Sequence, residues 1–195
     1  MRSGSGNRRF ADVRANRRSL RSGANAILRY CKRVHYLLIL QLLALLVLAN
    51  GSPVVAKRFL GARLSHPVDR NAVFCDGRQL FGRSKTLRGL LLSILITSLT
   101  APLIGLSFGV GLLVGVNAMA GDLMSSFIKR RLGLSPSSKA IGLDQIPESL
   151  FPLLACRYAL PLSAGDIVLC TGSFVVGDIL LSRVLFRLHL RERPY

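Results

Sequence analysis

The stretch LIGLSFGVGLLVGVNAMAGDLMSSFIKRRLG, residues 103–133, runs from an apolar segment straight into an aspartate, a serine and three consecutive cations. After the apolar run Leu103 to Ala120 come Gly121, Asp122, Ser126, Phe127, Lys129, Arg130, Arg131 and Gly133. On one helix, the i, i+4, i+7 relation sets Asp122, Ser126 and Lys129 on a single face, roughly 10 Å from end to end. That is about the reach of a nucleoside triphosphate. An ionised group is costly near hydrocarbon, so a carboxylate at the end of an apolar helix is a functional candidate by default.

Composition agrees with a membrane setting. Half of the 195 residues are apolar and the mean hydropathy is +0.43. Several apolar runs approach the roughly 20 residues that cross a bilayer, too much apolar surface for one soluble domain of this size. The expected fold class is therefore all-α, a polytopic integral membrane protein. A net charge of +18 would suggest nucleic acid in a soluble chain. Here the 27 Lys and Arg lie almost entirely between or outside the apolar runs, which points to membrane orientation, anionic headgroups and phosphate ligands instead. Cys31, Cys75, Cys156 and Cys170 form no CxxC pair, so neither a disulfide framework nor a zinc site is implied.

The chain divides into a basic leader, residues 1–33, and a membrane-embedded domain, residues 34–195, with about five spans. The leader holds ten Lys/Arg against the single acid Asp12 and has little apolar periodicity, as expected of a disordered or headgroup-bound segment. The first span is expected over Val34 to Ala49, stopped by Asn50, Gly51, Ser52 and Pro53. A basic loop continues to Arg88. The second span starts at Gly89 and is kinked or closed by Pro102. The third runs from about Leu106 to Ile128, and its spacings Gly105/Gly109 and Gly111/Gly115 would let helices approach closely. A polar loop, Lys129 to Gln145, precedes a fourth span of about Ile146 to Leu162, interrupted by prolines, and a fifth over Ile167 to Phe186.

An odd number of spans places the termini on opposite sides. Loops 50–88 and 129–145 then share one side with the C-terminal tail. Their Lys/Arg content predicts that this side is cytoplasmic. The ten cations of the leader oppose that orientation, and the expectation is that the leader is tolerated or lies upstream of the working start.

Two clusters could do chemistry. In the first loop, glycines 77, 82 and 89 surround Arg78, Lys85 and Arg88, a flexible backbone between cations that is suited to wrapping phosphates. Gly82-Arg-Ser-Lys-Thr lacks the upstream glycine and preceding strand of a P-loop. The second cluster combines Asp122 and Asp144 with Lys129, Arg130 and Arg131. Carboxylates beside phosphate-binding cations suit Mg²⁺, which takes one or two carboxylates and completes its shell with water and phosphate oxygens. The bland alternative is that Asp122 pairs with a neighbouring cation and the triplet anchors a helix end. Asp178, in the last span, fits an intramembrane pair with Arg183 or an interhelical hydrogen bond. His35, His66 and His189 have no metal-binding spacing.

These residues carry a resemblance. Gly121-Asp122, Ser126 and Lys129-Arg130 match the GDxxxSxxKR core of the phosphatidate cytidylyltransferase superfamily. The set Phe81-Gly82, Lys85-Thr86, Arg88-Gly89, then Gly121-Asp122 through Arg131 and Gly133, then Leu143-Asp144-Gln145, is similar to the CDP-archaeol synthase family over about residues 50–195. The resemblance implies a five-helix membrane enzyme that uses CTP as co-substrate and Mg²⁺ to convert a lipid phosphate to a CDP-lipid, releasing pyrophosphate. It would give phosphate contact and catalysis to Lys85, Arg88, Lys129 and Arg130, metal binding to Asp122 and Asp144, and nucleotide contact to Asp76, Arg78, Ser126 and Arg131. As partners it implies CTP, the lipid phosphate and membrane lipids, without nucleic acid and with room for a homodimer, in the cell inner membrane with the site facing the cytoplasm. The chain departs from the pattern in lacking the PGHGG stretch, in having Arg83-Ser84 where relatives tend to have Asp-Gly, and in having Pro147 where a second acid follows Asp144, with Glu148 next door.

Two other classes compete. A non-enzymatic scaffold gripping anionic lipid would need clustered cations but no particular carboxylate. A transporter would use Asp122 and Asp178 as intramembrane charges, though no internal repeat supports it.

Overall fold

The computed structural model describes residues 35–61, 65–70, 72–135, 140 and 142–187. The basic leader and the tail with Arg191 and Arg193 lie outside the described residues. Five helices follow in order, α1 (Tyr36–Leu60), α2 (Leu87–Leu103), α3 (Phe108–Arg131), α4 (Gln145–Cys156) and α5 (Ala164–Arg187). By length and composition α1, α3 and most of α5 can each cross a membrane. α2, with 17 residues, is apolar but shorter, and α4 has 12. The all-helical polytopic class is therefore the observed one.

The expectation that Asn50 to Pro53 stops the first span is corrected, because α1 continues through them to Leu60. Proline breaks a helix by removing a donor and crowding the preceding turn. Here the Ala49 carbonyl, which Pro53 cannot serve, accepts hydrogen bonds from Ser93 Oγ of α2 at 2.8 Å and from Ser52 Oγ at 3.3 Å. Asn50 turns its amide back onto the Leu46 carbonyl at 3.2 Å. With each exposed group answered from within the protein, the helix tolerates its breakers, as membrane helices commonly do.

α3 is the central element and packs on α1, α2 and α4. Its glycines explain the closeness. A Cβ added at Gly111 would lie 2.7 Å from the Ala101 Cβ, and one at Gly115 would lie 2.8 Å from the Ile94 Cα, so α2 and α3 touch through backbone. Gly105 and Gly109 meet nothing as tight; Gly105 instead sits in the α2–α3 turn with φ +84°.

The helices alternate in direction. At one end, the His35 backbone N–H and Nδ1 both lie 3.0 Å from the buried Asp166 carboxylate at the start of α5, and Gln41 donates to the Ile104 carbonyl between α2 and α3. The opposite end gathers the end of α1, the start of α2, the end of α3 and the start of α4. Every candidate residue from the two loops lies at that second end.

Candidate functional site

Helix α3 carries Asp122, Ser126 and Lys129 on one face, and each charged member reaches a different loop. Asp122 Oδ1 is ion-paired with Lys85 Nζ. Lys129 Nζ lies 2.7 Å from Asp144 Oδ1, with both side chains largely out of solvent. Two ion pairs therefore tie loops 61–86 and 132–144 to one face of α3, at points two turns apart. Ser126 is buried between them in sequence, and Ser125 donates back to the Asp122 carbonyl at 2.9 Å.

Lys85 is aimed by its own loop. The buried Asp69 carboxylate accepts the N–H groups of Phe81 at 3.0 Å and Gly82 at 3.1 Å, closing the turn in which Gly82 takes φ +91°. Val68 and Lys85 are joined by a backbone hydrogen bond, and Thr86 caps α2 by accepting from the Gly89 N–H. Asp69 is absent from the residues that the sequence singles out. In one dimension it is only an acid beside Arg70, and nothing in the spacing signals that it organises a turn twelve residues away.

Glu148, on the first turn of α4, lies beside the Asp122 side chain and within electrostatic range of Lys85 and Asp144. Its seat is fixed by a backbone approach. A Cβ on Gly121 would be 2.8 Å from the Glu148 nitrogen and closer still to the Pro147 carbonyl. Sequence could have hinted at Glu148, since it stands four residues after Asp144 and so shares its helical face.

The other cations have different surroundings. Arg78 Nη1 donates to the carbonyls of Arg130 at 3.2 Å and Arg131 at 2.7 Å, covering the acceptors that end α3. Arg131 answers it: its Nη1 meets Asp76 Oδ1 at 2.6 Å, its Nη2 donates to the Gln79 carbonyl at 2.7 Å, and its guanidinium lies 4.9 Å from the Phe74 ring centre and 4.8 Å from that of Phe127. Asp76, Arg78 and Arg131, expected at the nucleotide, thus form a clasp between the 72–82 turn and the end of α3. Arg88 donates to the Gly61 carbonyl at the end of α1. Arg130 is buried; its Nη2 donates to the Ser135 carbonyl at 2.8 Å, while its Nε is shielded from solvent without a hydrogen-bond partner. Asp178 takes its hydrogen bond from Gln145 Nε2 at 2.8 Å, an interhelical contact to α4.

Each ring contact of Arg131 is worth about 0.5–1 kcal/mol. Arg131→Ala is therefore expected to loosen the 72–82 turn and leave the helices intact. Tryptic cleavage within residues 72–86 should rise about tenfold or more with unchanged helical circular dichroism. Wild-type cleavage rates would mean the clasp holds nothing.

The arrangement suits an anion with a cation beside it. Among the described residues no group of three His, Cys, Asp or Glu stands ready to encase a metal ion. Magnesium does not need such a cage, because water and phosphate oxygens complete its shell. Two observations fit it here. The Asp122 and Glu148 carboxyls face each other, a contact that a shared proton or a shared cation stabilises. Asp144 Oδ1 is buried without a well-formed hydrogen bond, its charge partner being the Lys129 ammonium.

Comparisons with known proteins give the family. The family described as CarS-like, CDP-archaeol synthase, matches residues 35–195. A CDP-archaeol synthase of Sulfurisphaera tokodaii is 32% identical over 155 residues, covering 76% of this chain and 90% of that protein. One of Pyrococcus furiosus is 41% identical over 107 residues, covering 50% of this chain and 60% of that protein. A solved structure, described as an intramembrane enzyme for archaeal membrane lipids biosynthesis, is 30% identical with a TM-score of 0.61, covering 72% of this chain and 90% of that one. With the match running through the whole helical domain and all three motif blocks, the chain belongs to the CDP-archaeol synthase family.

Proposed function

We propose that this chain moves the cytidylyl group of CTP onto a membrane lipid phosphate at the end of the bundle where Asp122, Lys85, Lys129 and Asp144 converge. The chain is a CTP-dependent cytidylyltransferase of membrane lipid biosynthesis by family. The observation that supports this location is the pair of ion pairs, Lys85–Asp122 and Lys129–Asp144, which bring both motif loops onto one face of α3.

An oxygen of the lipid phosphate attacks the α-phosphorus of CTP. The bond from that phosphorus to the bridging oxygen breaks, and its electron pair leaves with pyrophosphate. Both reactants are anions, so fixed positive charge is the main requirement. Lys85 and Lys129 are each held in place by a carboxylate, which lowers the ordering cost when phosphates arrive. Arg130, with its buried Nε lacking a partner, supplies a further donor to the triphosphate. Asp122 and Asp144 would hold magnesium, which when bound neutralises the triphosphate and polarises the α-phosphoryl oxygen. Asp76, Arg78 and Arg131 act by holding the first loop over α3, and Arg88 by fixing the start of α2. The site faces the cytoplasm, where CTP is found. A homodimer is compatible with this arrangement.

The test is turnover of CTP by purified protein with Mg²⁺ and a panel of ester- and ether-linked lipid phosphates, read by mass spectrometry of the lipid fraction. A CDP-lipid from one class is expected and names the substrate. No CDP-lipid across the panel, with no CTP binding, would leave a scaffold that grips anionic lipid.

A further inference from the structure

We propose that Asp178 of α5 is a positioning residue for the transfer reaction, acting through Gln145 to keep Asp144 on Lys129. This inference rests on the CTP reading of the site given above and gives a role to a charge that the last span carries within its apolar run.

The contacts run without a gap from α5 to α3. Asp178 Oδ2 accepts from Gln145 Nε2 at 2.8 Å, and Gln145 Oε1 accepts the Gly142 N–H at 2.8 Å. Gln145 is only 4% exposed, so its amide has little water to fall back on. The turn held in this way presents Asp144. Its Oδ2 accepts the Ala140 N–H at 3.2 Å, its own N–H donates to the Ala140 carbonyl at 3.1 Å, and its Oδ1 lies 2.7 Å from Lys129 Nζ. Asp144 stands at the N-cap position of α4, where a carboxylate normally accepts from the first turn, yet it makes no such capping bond. Its side chain is committed to Lys129, and the start of α4 is fastened instead by the next residue, Gln145, and its partner on α5.

A carboxyl group in an apolar span calls for a reason, because its charge is costly there. Among the described residues Asp178 forms no ion pair, and Arg183 is not its partner. What a carboxylate supplies is one-sidedness. The Gln145 amide could sit with its nitrogen and oxygen exchanged, and only one orientation leaves Oε1 for the Gly142 N–H. An ionised carboxylate accepts and never donates, so it takes the amide nitrogen and thereby sets the oxygen on Gly142. A hydroxyl or an amide at position 178 could meet either end. With Gln145 reversed, its NH2 would face the Gly142 N–H, donor against donor, and the turn bearing Asp144 would give. Displacements of about 1 Å at a distance from the reacting atoms can cost about 10²-fold in rate.

The experiment measures transfer from CTP by the full chain in detergent, with the lipid phosphate that supports turnover, for Asp178→Leu, Gln145→Glu, and Gln145→Glu combined with Asp178→Asn. Asp178→Leu removes the acceptor, and Gln145→Glu sets two carboxylates against each other. Each should lower kcat/KM for CTP about tenfold or more. The loss should fall on KM more than on kcat, since the loosened turn orders only when CTP binds. In the double variant the new amide on α5 donates to one carboxylate oxygen of the new side chain on α4 while the other still accepts from Gly142. The contact is rebuilt with its polarity reversed and the total charge unchanged, and kcat/KM should return to within about threefold of wild type. Circular dichroism confirms folding, and amide exchange should quicken at residues 142–146 in Asp178→Leu and stay as in wild type through α1 to α3. Should Gln145→Glu misfold, Asp178→Leu and the double variant carry the comparison. A kcat/KM within about twofold of wild type in folded Asp178→Leu overturns the inference and leaves the CTP reading intact. A loss in Gln145→Glu that Asp178→Asn does not relieve overturns it as well. Failure of the CTP reading has a different signature, no transfer to any lipid phosphate by the wild type, and overturns both.

Discussion

Asp122→Asn is expected to reduce CDP-lipid formation by about 10³-fold or more in protein that remains folded. Asparagine keeps the size of the side chain and one acceptor oxygen, so Lys85 retains a hydrogen-bond partner. The charge is lost, and with it both the ion pair to Lys85 and the negative half of the Asp122–Glu148 pair. Lys85 is only partly buried, so stability should change far less than activity. The separation is diagnostic: a scaffold that grips anionic lipid would tolerate the substitution, and its lipid affinity would rise as a negative charge is removed. The check is turnover at saturating CTP beside thermal denaturation of the same preparation.

Gly121→Val should abolish activity by another route. A Cβ at this position would overlap the Pro147 carbonyl and crowd the Glu148 nitrogen, and neither backbone group can swing aside. α4 must move away from α3, carrying Asp144 and Glu148 from Lys129 and Asp122. Overpacking of this kind costs about 1–3 kcal/mol or more. Separation also leaves Lys129, buried at 7% exposure, without its carboxylate, and breaking a buried pair costs about 3–5 kcal/mol. A lowered melting temperature and complete loss of transfer are expected together. Gly109→Val, on the same helix where a Cβ meets only the Ser107 hydroxyl at 3.9 Å, should change little. Equal behaviour of the two variants would contradict the packing account.

Part of this site is legible in the sequence for a plain reason. Asp122, Ser126 and Lys129 belong to one helix, and helical spacing is a local property that one dimension records. The partners of Asp122 and Lys129 are not local. Lys85 and Asp144 appear in the sequence only as charged residues in glycine-containing loops, and pairing across 37 residues depends on how the loops close. Arg78 and Arg131 look like free phosphate ligands for the same reason. Charge says that they seek oxygen, but the oxygens they find are carbonyls at the end of α3, the Asp76 carboxylate and the backbone of the first loop. The end of α1 is misread because the breaking power of Asn-Gly-Ser-Pro assumes freed backbone groups with no internal partner. Ser93, forty residues on, supplies one. Asp69 has no signal at all until the turn that it closes is seen.

The most direct measurement of the central claim follows the label from CTP marked at the α-phosphate and, in parallel, at the γ-phosphate, with wild-type and Asp122→Asn protein and the lipid phosphate that supports turnover. Cytidylyl transfer at this site predicts α-label in the lipid and γ-label in pyrophosphate in matching amounts, with both signals lost in Asp122→Asn. Label from the γ-phosphate in the lipid, or α-label transfer that survives loss of the Asp122 charge, would contradict it.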